Sequence, residues 1–544
     1  MFGFNFNPFS NAIFNLINHN KSFARSILKG SSYLKKKNKF FLINDIKNIV
    51  FVETKLSANI KKNHPIFYDI DNPELSIKQF VSSIFGKIAF NQALLNFYSK
   101  KNKKIFYPMP AEFLNKLSKQ NIKVNYVLSL SIWYLILTFF YFKGILYYFK
   151  ILFSFLFKKN ICTNHSIVLA NITLEPINSI NKSNYNFFNW LINYYKKEKL
   201  DTIYHNLNIV EKNLGKVKII GSYEKYLFQL NNFYQFWSFL IYGIKIILYS
   251  FYELLRGHWW SPFMLSEGLR RKIINIKNEN NLPKKILFSN INWFYRPIWT
   301  HLDTSKKNIK IILFFYSTNI LHYRDSRSKS KYKNSDRWHL ISWPHYLLWD
   351  KNQKTTIEKY DKNNLHTKEI TGPIWWSDFH TISFSKFTKK INISVFDVQP
   401  LRRFVFCSLG MDYEYYTYEL SKYFLNDIVN IFSGNQFNII FKTKRKHLYT
   451  DKRYFNLIKN IDQRKNFQIV DNKISPFQII KNSDIVISMP FTSTSLIAKD
   501  YLVKTFFYDP LKLIAKDDPA LGGIDLVSGK KDLEIKYNKI VKLK

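Results

Sequence analysis

The densest chemistry in the chain lies in Pro490-Phe-Thr492-Ser493-Thr494, a run of one proline and several hydroxyls between an apolar segment, Ile485–Ser488, and an apolar helical pattern beginning near Ser495. Strand, small polar loop and helix start together form an anion site, because backbone N–H groups and hydroxyls converge at the positive end of the helix dipole. The plainer reading of the same residues is an N-cap, with Pro490 only setting the loop geometry. Two further loops carry cations. Asp397-Val-Gln-Pro-Leu-Arg402-Arg403 follows the apolar run Ile391–Phe396, and Lys442-Thr-Lys444-Arg445-Lys446-His447 follows Phe437–Phe441. In open α/β sheets ligands bind outside the carboxyl ends of the strands, so three such loops would meet at one sheet edge. Arg402, Arg403, Lys442, Lys444 and Arg445 would neutralise a diphosphate there, while Pro490 shapes the loop and Thr492, Ser493 and Thr494 hydrogen-bond the phosphate. That set suits a nucleoside-diphosphate leaving group.

The elements that must hold these loops alternate strand and helix from about residue 283. Lys284–Ser289 and Lys310–Tyr316 read as strands, joined through Trp293-Phe-Tyr-Arg-Pro-Ile-Trp299. A long helix is expected over about 415–432, then strands Phe437–Phe441 and Phe467–Val470, a helix from Pro476, and the strand that feeds the hydroxyl loop. The spacing predicts an α/β fold class: two Rossmann-like domains facing a cleft, 283–390 and 391–544, preceded by a mainly helical region over 1–282.

That first region contains two long apolar segments, about 124–157 and 226–252. Residues 124–142 and 226–244 are each uncharged and rich in Leu, Ile, Phe, Tyr and Trp. They are about long enough to span a bilayer. Their Tyr, Asn and Ser content also suits an interface, and both read equally as buried core helices. Short strands are expected nearby at Ser166–Ala170 and Lys216–Ile220.

Composition narrows the partners. The 544-residue chain carries 82 Lys and Arg against 38 Asp and Glu, a formal charge of +44 that points to nucleic acid, anionic headgroups or phosphorylated substrates. Apolar residues at 46% exclude wholesale disorder. The only two cysteines, Cys162 and Cys407, exclude a disulfide framework and fit a reducing compartment. The N-terminus has no basic region followed by a cleavage site, so no secretory signal is expected.

The string Pro490-Phe-Thr-Ser493, between Ser483-Asp-Ile-Val-Ile-Ser488 and Tyr508-Asp-Pro510, resembles the bacterial polysaccharide-biosynthesis proteins that take their name from a PFTS motif. Val395–Pro400 and Gly372-Pro-Ile374 resemble segments of the same family. More broadly, 391–530 resembles the nucleotide-sugar half of GT-B transferases that use a Lys-x-His-Pro strand end and a later Ser/Thr loop. Here Lys442-Thr-Lys444-Arg445 stands where Lys-x-His-Pro would be, so ammonium and guanidinium groups replace the imidazole. The resemblance implies a glycosyltransferase of O-antigen or capsule assembly, with a nucleotide-sugar donor and a glycan or lipid-linked glycan acceptor. The positive charge and the apolar segments would hold it at an anionic membrane surface, peripheral to the cytoplasmic side of the inner membrane, where such acceptors reside. An inverting transferase needs a base, and Asp378, Asp397 and His345 are the candidates, with Asp350 and His380 nearby. No metal and no cofactor are expected; the one Asp-x-Asp, Asp69-Ile-Asp71, lies in another region. The alternatives are a nucleotide-sugar 2-epimerase-like enzyme and a basic nucleic-acid-binding protein. The latter rests on charge and aromatic content alone, so no nucleic acid is expected as partner.

Overall fold

The computed structural model describes residues 21–542 except 38–41, 57–63, 69, 86–87, 100–103, 158–161, 179, 181–185, 210, 303–306, 318–325, 327–335, 362–365, 375–389, 410–414, 444–448, 473 and 491. Two sheets organise them. The first contains β1 (Ser166–Leu169), β2 (Thr202–His205), β3 (Lys212–Leu214), β4 (Val217–Ile220), β5 (Lys285–Ser289), β6 (Lys310–Phe314), β7 (His345–Leu348) and β8 (Thr367–Ile370), in the order β3-β4-β2-β1-β5-β6-β7-β8. All neighbours are parallel except the hairpin β3–β4. β1 and β5 are buried along their whole length, as expected of parallel strands covered on both faces.

The second sheet contains β9 (Ile391–Phe396), β10 (Phe437–Lys442), β11 (Phe467–Val470), β12 (Ile485–Ser488), β13 (Lys504–Asp509) and β14 (Leu526–Ser528), in the order β11-β10-β9-β12-β13-β14. Every pair is parallel. Counted from its own first strand this is 3-2-1-4-5-6, the doubly wound Rossmann order, with its topological switch between β9 and β12. Its long helix runs Tyr418–Ile431 and buries Leu420, Phe424, Leu425 and Ile428 at helical spacing.

The first α/β domain starts earlier than residue 283. β1 pairs with β2 on one side and with β5 on the other, so 166–220 supplies half of the first sheet. The expected boundary at 282/283 falls inside that domain. Its strands β1 to β4 have only three or four residues each and lie between two long apolar helices, which dominate the local composition.

Those helices, Tyr126–Ser154 and Phe233–Leu255, run antiparallel. Phe155 packs against Phe233 and Phe236 at one end, and the Tyr141 hydroxyl donates to the Ile247 carbonyl at 3.2 Å toward the other. Both pack on a third helix, Trp260–Ile276, which is buried over most of its length. The shorter helices before residue 120 are wedged against both α/β domains. Gln79 donates to the Leu340 carbonyl, and Asn91 donates to Ser408 O at 2.8 Å in the second domain. One core cluster accordingly runs from Ile27 through the first sheet to Phe396, Ile440 and Val486 on one face of the second sheet. The other face of that sheet has its own core, around Phe424, Phe437 and Tyr508.

The two domains also touch through segments that follow carboxyl strand ends. Ser326, between β6 and β7, donates its N–H to Leu513 O at 2.9 Å, just beyond β13. Asn352, two residues past the cap of the helix after β7, lies beside Gly522, which adopts φ +63°. The carboxyl edges thus face one another across a cleft, the GT-B-like arrangement expected from the sequence.

Candidate functional site

Strands β10, β9 and β12 are neighbours, so the loops that leave their carboxyl ends rise within about 10 Å of one another. The switch-point loops are tied together. Met489 N–H donates to Phe396 O at 2.9 Å, and Val398 N–H donates to the Met489 sulfur at 3.3 Å. The loop after β9 is pinned to the one after β10 by the Leu401–Thr450 bridge and by Arg402 N–H to Tyr449 O at 2.9 Å. Arg402 occupies the position before the helix Arg403–Ser408 without a side-chain cap bond, and Arg403 is exposed at its first position.

Within the PFTS segment the hydroxyls form a chain. Thr492 Oγ1 donates to Met489 O at 2.8 Å, and Thr494 Oγ1 donates to Thr492 Oγ1 at 3.1 Å. A hydroxyl has one proton, so Thr494 must accept from Ser488, whose Oγ lies 2.8 Å away. The protons of Thr492 and Thr494 therefore point into the loop and shape it. Ser493, half-buried at its tip, begins the helix Thr494–Asp500, and Pro490 is buried beneath. Ser488, a strand-end residue without exposure, anchors this chain. Sequence reading passed over it, although a serine closing an apolar strand before a hydroxyl loop was a usable signal.

The cations divide. Arg402, Arg403 and Lys442 are brought to the same sheet edge as Pro490, Thr492, Ser493 and Thr494. Lys442, the last residue of β10, is half-buried and donates to Asn472 O at 2.8 Å. Arg402 has a carboxylate neighbour. Burial pushes Asp451 up, but its hydrogen bonds from Arg453 and the charges of Arg453 and Arg402 bring it below the ordinary carboxylate range. Lys444 and Arg445 lie outside the described residues.

The catalytic candidates fare differently. Asp397 is 4% exposed and accepts a 2.5 Å hydrogen bond from the Tyr454 hydroxyl. Burial and then the Asp397 charge push the Tyr454 hydroxyl far above its ordinary range. Asp397 thus holds the helix Lys452–Ile461 against the sheet and does not face the cleft, contrary to expectation. His345 opens β7, so it stands at the amino edge of the first sheet, opposite the cleft. Burial and then Lys310 lower its imidazole, a setting that keeps it neutral but leaves it remote. The apolar strand that follows it, not a loop that precedes it, decides that position. Asp378 and His380 lie outside the described residues. Asp350 does follow a carboxyl end, that of β7, and accepts from Gln353 N–H at 2.7 Å as an N-cap.

On the first-domain side of the cleft the switch falls between β1 and β5. Asn171 bridges it, donating to Ser289 O at 3.0 Å and accepting from the Ser289 N–H, while Ser289 Oγ donates to Asn171 O at 2.9 Å. These residues were missed because β1 was placed outside the domain. A cavity of about 210 Å³ beside His165, Glu279 and Asn308 opens on the amino edge of this sheet, and one of about 550 Å³ is lined by Lys516, Asp525 and Lys536 near β14. Neither adjoins the β9/β12 switch. Among the described residues no cluster of three His, Cys, Asp or Glu is set to hold a metal.

Solved structures that align with the chain include a trehalose-6-phosphate synthase from Burkholderia multivorans, at 7% identity and TM-score 0.36, covering 71% of this chain and 90% of that one. A putative UDP-N-acetylglucosamine 2-epimerase from Listeria monocytogenes aligns at 9% and 0.35, over 71% and 89%. A glycosyltransferase from Rickettsia africae aligns at 10% and 0.33, over 71% and 89%. No curated protein sequence matches the chain. The family described as polysaccharide biosynthesis PFTS motif protein matches residues 242–536, more than half of the 544-residue chain, and that span includes β5 to β14 and the hydroxyl loop. The chain belongs to the polysaccharide biosynthesis PFTS motif family.

Proposed function

We propose that the protein is a GT-B-type glycosyltransferase that moves a sugar from a nucleotide-sugar donor to a growing glycan. One observation carries the reading: the family's own motif sits at the switch point of a 3-2-1-4-5-6 sheet, on the same edge as two neighbouring loops with cations. The donor diphosphate would lie over β9 and β12, against Ser493 and the backbone of the PFTS loop. Arg402, Arg403 and Lys442, with Lys444 and Arg445, would stabilise charge on the leaving group without a metal. The acceptor would enter from the first domain, where a carboxylate, Asp350 or Asp378, takes the proton of the attacking hydroxyl.

Family membership and the positive charge support a setting in bacterial surface polysaccharide assembly, O-antigen or capsule. There the acceptor is a lipid-linked glycan and the enzyme sits on the cytoplasmic face of the inner membrane. Incubating full-length protein with UDP-, GDP- and CMP-sugars and lipid-linked acceptor tests this. Transfer of sugar to the acceptor is expected. Epimerisation of free nucleotide sugar without acceptor would replace the reading with the 2-epimerase-like one. Asp350→Asn keeps the helix cap, so stability should hold. Of Asp350→Asn and Asp378→Asn, one should lower kcat by about 10²- to 10⁴-fold.

A further inference from the structure

Among the described residues, the outer face of the helices Tyr126–Ser154 and Phe233–Leu255 is left exposed. Leu135 (65% exposed), Phe142 (57%) and Leu146 (69%) recur at helical spacing on one helix, and Ile241 (65%), Leu248 (64%) and Leu255 (71%) on the other. Because the helices are antiparallel and in contact, the stripes form one continuous apolar sheet, about 43 Å along the longer helix. The charges within it have one sign. Lys150 and Lys245 are exposed, whereas the only acid of the pair, Glu253, is buried beside His258. On a chain of charge +44 such a face fits an anionic bilayer, whose headgroups pair with lysines while its acyl boundary takes the aromatic and aliphatic side chains.

Length alone would let either helix cross a bilayer. The inner faces forbid it. One stripe of the longer helix is buried and packs on Trp260–Ile276, with Trp133 and Phe140 on Phe263 and Gly144 against Leu265. That third helix carries Glu267, Arg270 and Arg271, of which Arg270 pairs with Glu224 at 3.0 Å and Arg271 donates to His301 O at 2.8 Å. A spanning pair would drag these ions into hydrocarbon.

We propose that the paired helices are an in-plane platform, immersed to the headgroup–acyl boundary of an anionic bilayer and not spanning it. Behind the platform, Glu267 accepts from Ile298 N–H at 3.0 Å, in the loop that leaves the carboxyl end of β5. The bilayer surface is therefore two layers from the cleft edge. The consequence that a lipid-borne acceptor reaches the cleft from this side rests on the glycosyltransferase reading; the platform does not.

Full-length protein, sedimented with phosphatidylcholine vesicles with or without about one third phosphatidylglycerol, tests the platform. Strong binding to the anionic vesicles is expected, and Lys150→Ala with Lys245→Ala should weaken it about thirtyfold. The native cysteines Cys162 and Cys407 are buried, so fluorophores can be placed at Leu135→Cys, Leu146→Cys and Phe153→Cys. Quenchers fixed at different lipid depths should report one shallow depth at all three. A graded depth along the helix would overturn the proposal in favour of a span. Absence of vesicle binding would overturn it too. So would self-association in lipid-free solution that Phe142→Glu abolishes, since a second copy would then own the face. None of these results touches donor binding, which stands or falls separately.

Discussion

Thr494 and Ser493 are adjacent, yet Thr494 belongs to the hydroxyl chain inside the loop and Ser493 stands at its tip. Thr494 links Ser488 to Thr492 inside the loop, so Thr494→Val should cost about 1–3 kcal/mol in chemical denaturation, the penalty of unsatisfied buried hydroxyl partners. Ser493→Ala should weaken donor binding roughly tenfold, the worth of one hydrogen bond to a charged group. Asp397 and Tyr454 supply the complementary test. Asp397→Asn and Tyr454→Phe should each lower stability by about 1–3 kcal/mol with kcat changed far less than a lost base would require. From sequence the hydroxyl loop was legible as a site, because residue type and position at a strand end are local. Proton direction was not, since it depends on Ser488 and on the Met489 carbonyl folding back beneath the loop. Asp397 misled for a similar reason: a carboxylate at a strand end reads as cleft-facing until a tyrosine from a distant helix covers it.

At the scale of elements, glycines set how closely the helices approach. A Cβ at Gly243 would lie 2.0 Å from the Tyr148 ring, whose hydroxyl is fixed to Leu240 O at 3.0 Å and cannot swing away cheaply. Gly243→Val should therefore force the pair apart and cost at least about 1–3 kcal/mol, read by urea denaturation. A Cβ at Gly144 would lie 2.6 Å from the buried Leu265 side chain, so Gly144→Ala should also destabilise. Strands β9 to β13 were legible because each is an apolar run of four to six residues bounded by turn residues. β1 to β4 escaped assignment to the first sheet because pairing partners are not local: β1 meets β5 across more than a hundred residues, most of them helix. The two apolar helices were visible by length, but whether they are buried, lie flat or span depends on which stripe another helix covers.

At the scale of the whole molecule, one extended core joins the N-terminal helices, the first sheet and one face of the second, so buried imidazoles in those parts should bear on its stability together. His64 is 2% exposed, and burial, then His258, lower it to about 3. Burial and Lys212 lower His205 to about 4, and burial with Arg296 and Arg271 hold His301 well below its ordinary value. Well above pH 6.5 these imidazoles are neutral both folded and unfolded and contribute no pH dependence. As pH falls below 6.5 the unfolded chain takes up protons that the folded chain refuses, so stability is lost progressively toward pH 3 to 4. Urea midpoints measured from pH 7.5 to 5 should fall, and His64→Asn should flatten the slope by up to about 1.4 kcal/mol per pH unit.

The central claim is that the β9/β12 switch holds a nucleotide-sugar phosphate, and titration calorimetry of the full-length chain with UDP-, GDP- and CMP-sugars, paired with amide exchange, tests it most directly. The account predicts saturable heat with at least one donor, together with slowed exchange at 398–403 and 489–494. No heat with any of the three donors, or protection confined to the amino edge of either sheet, would contradict it.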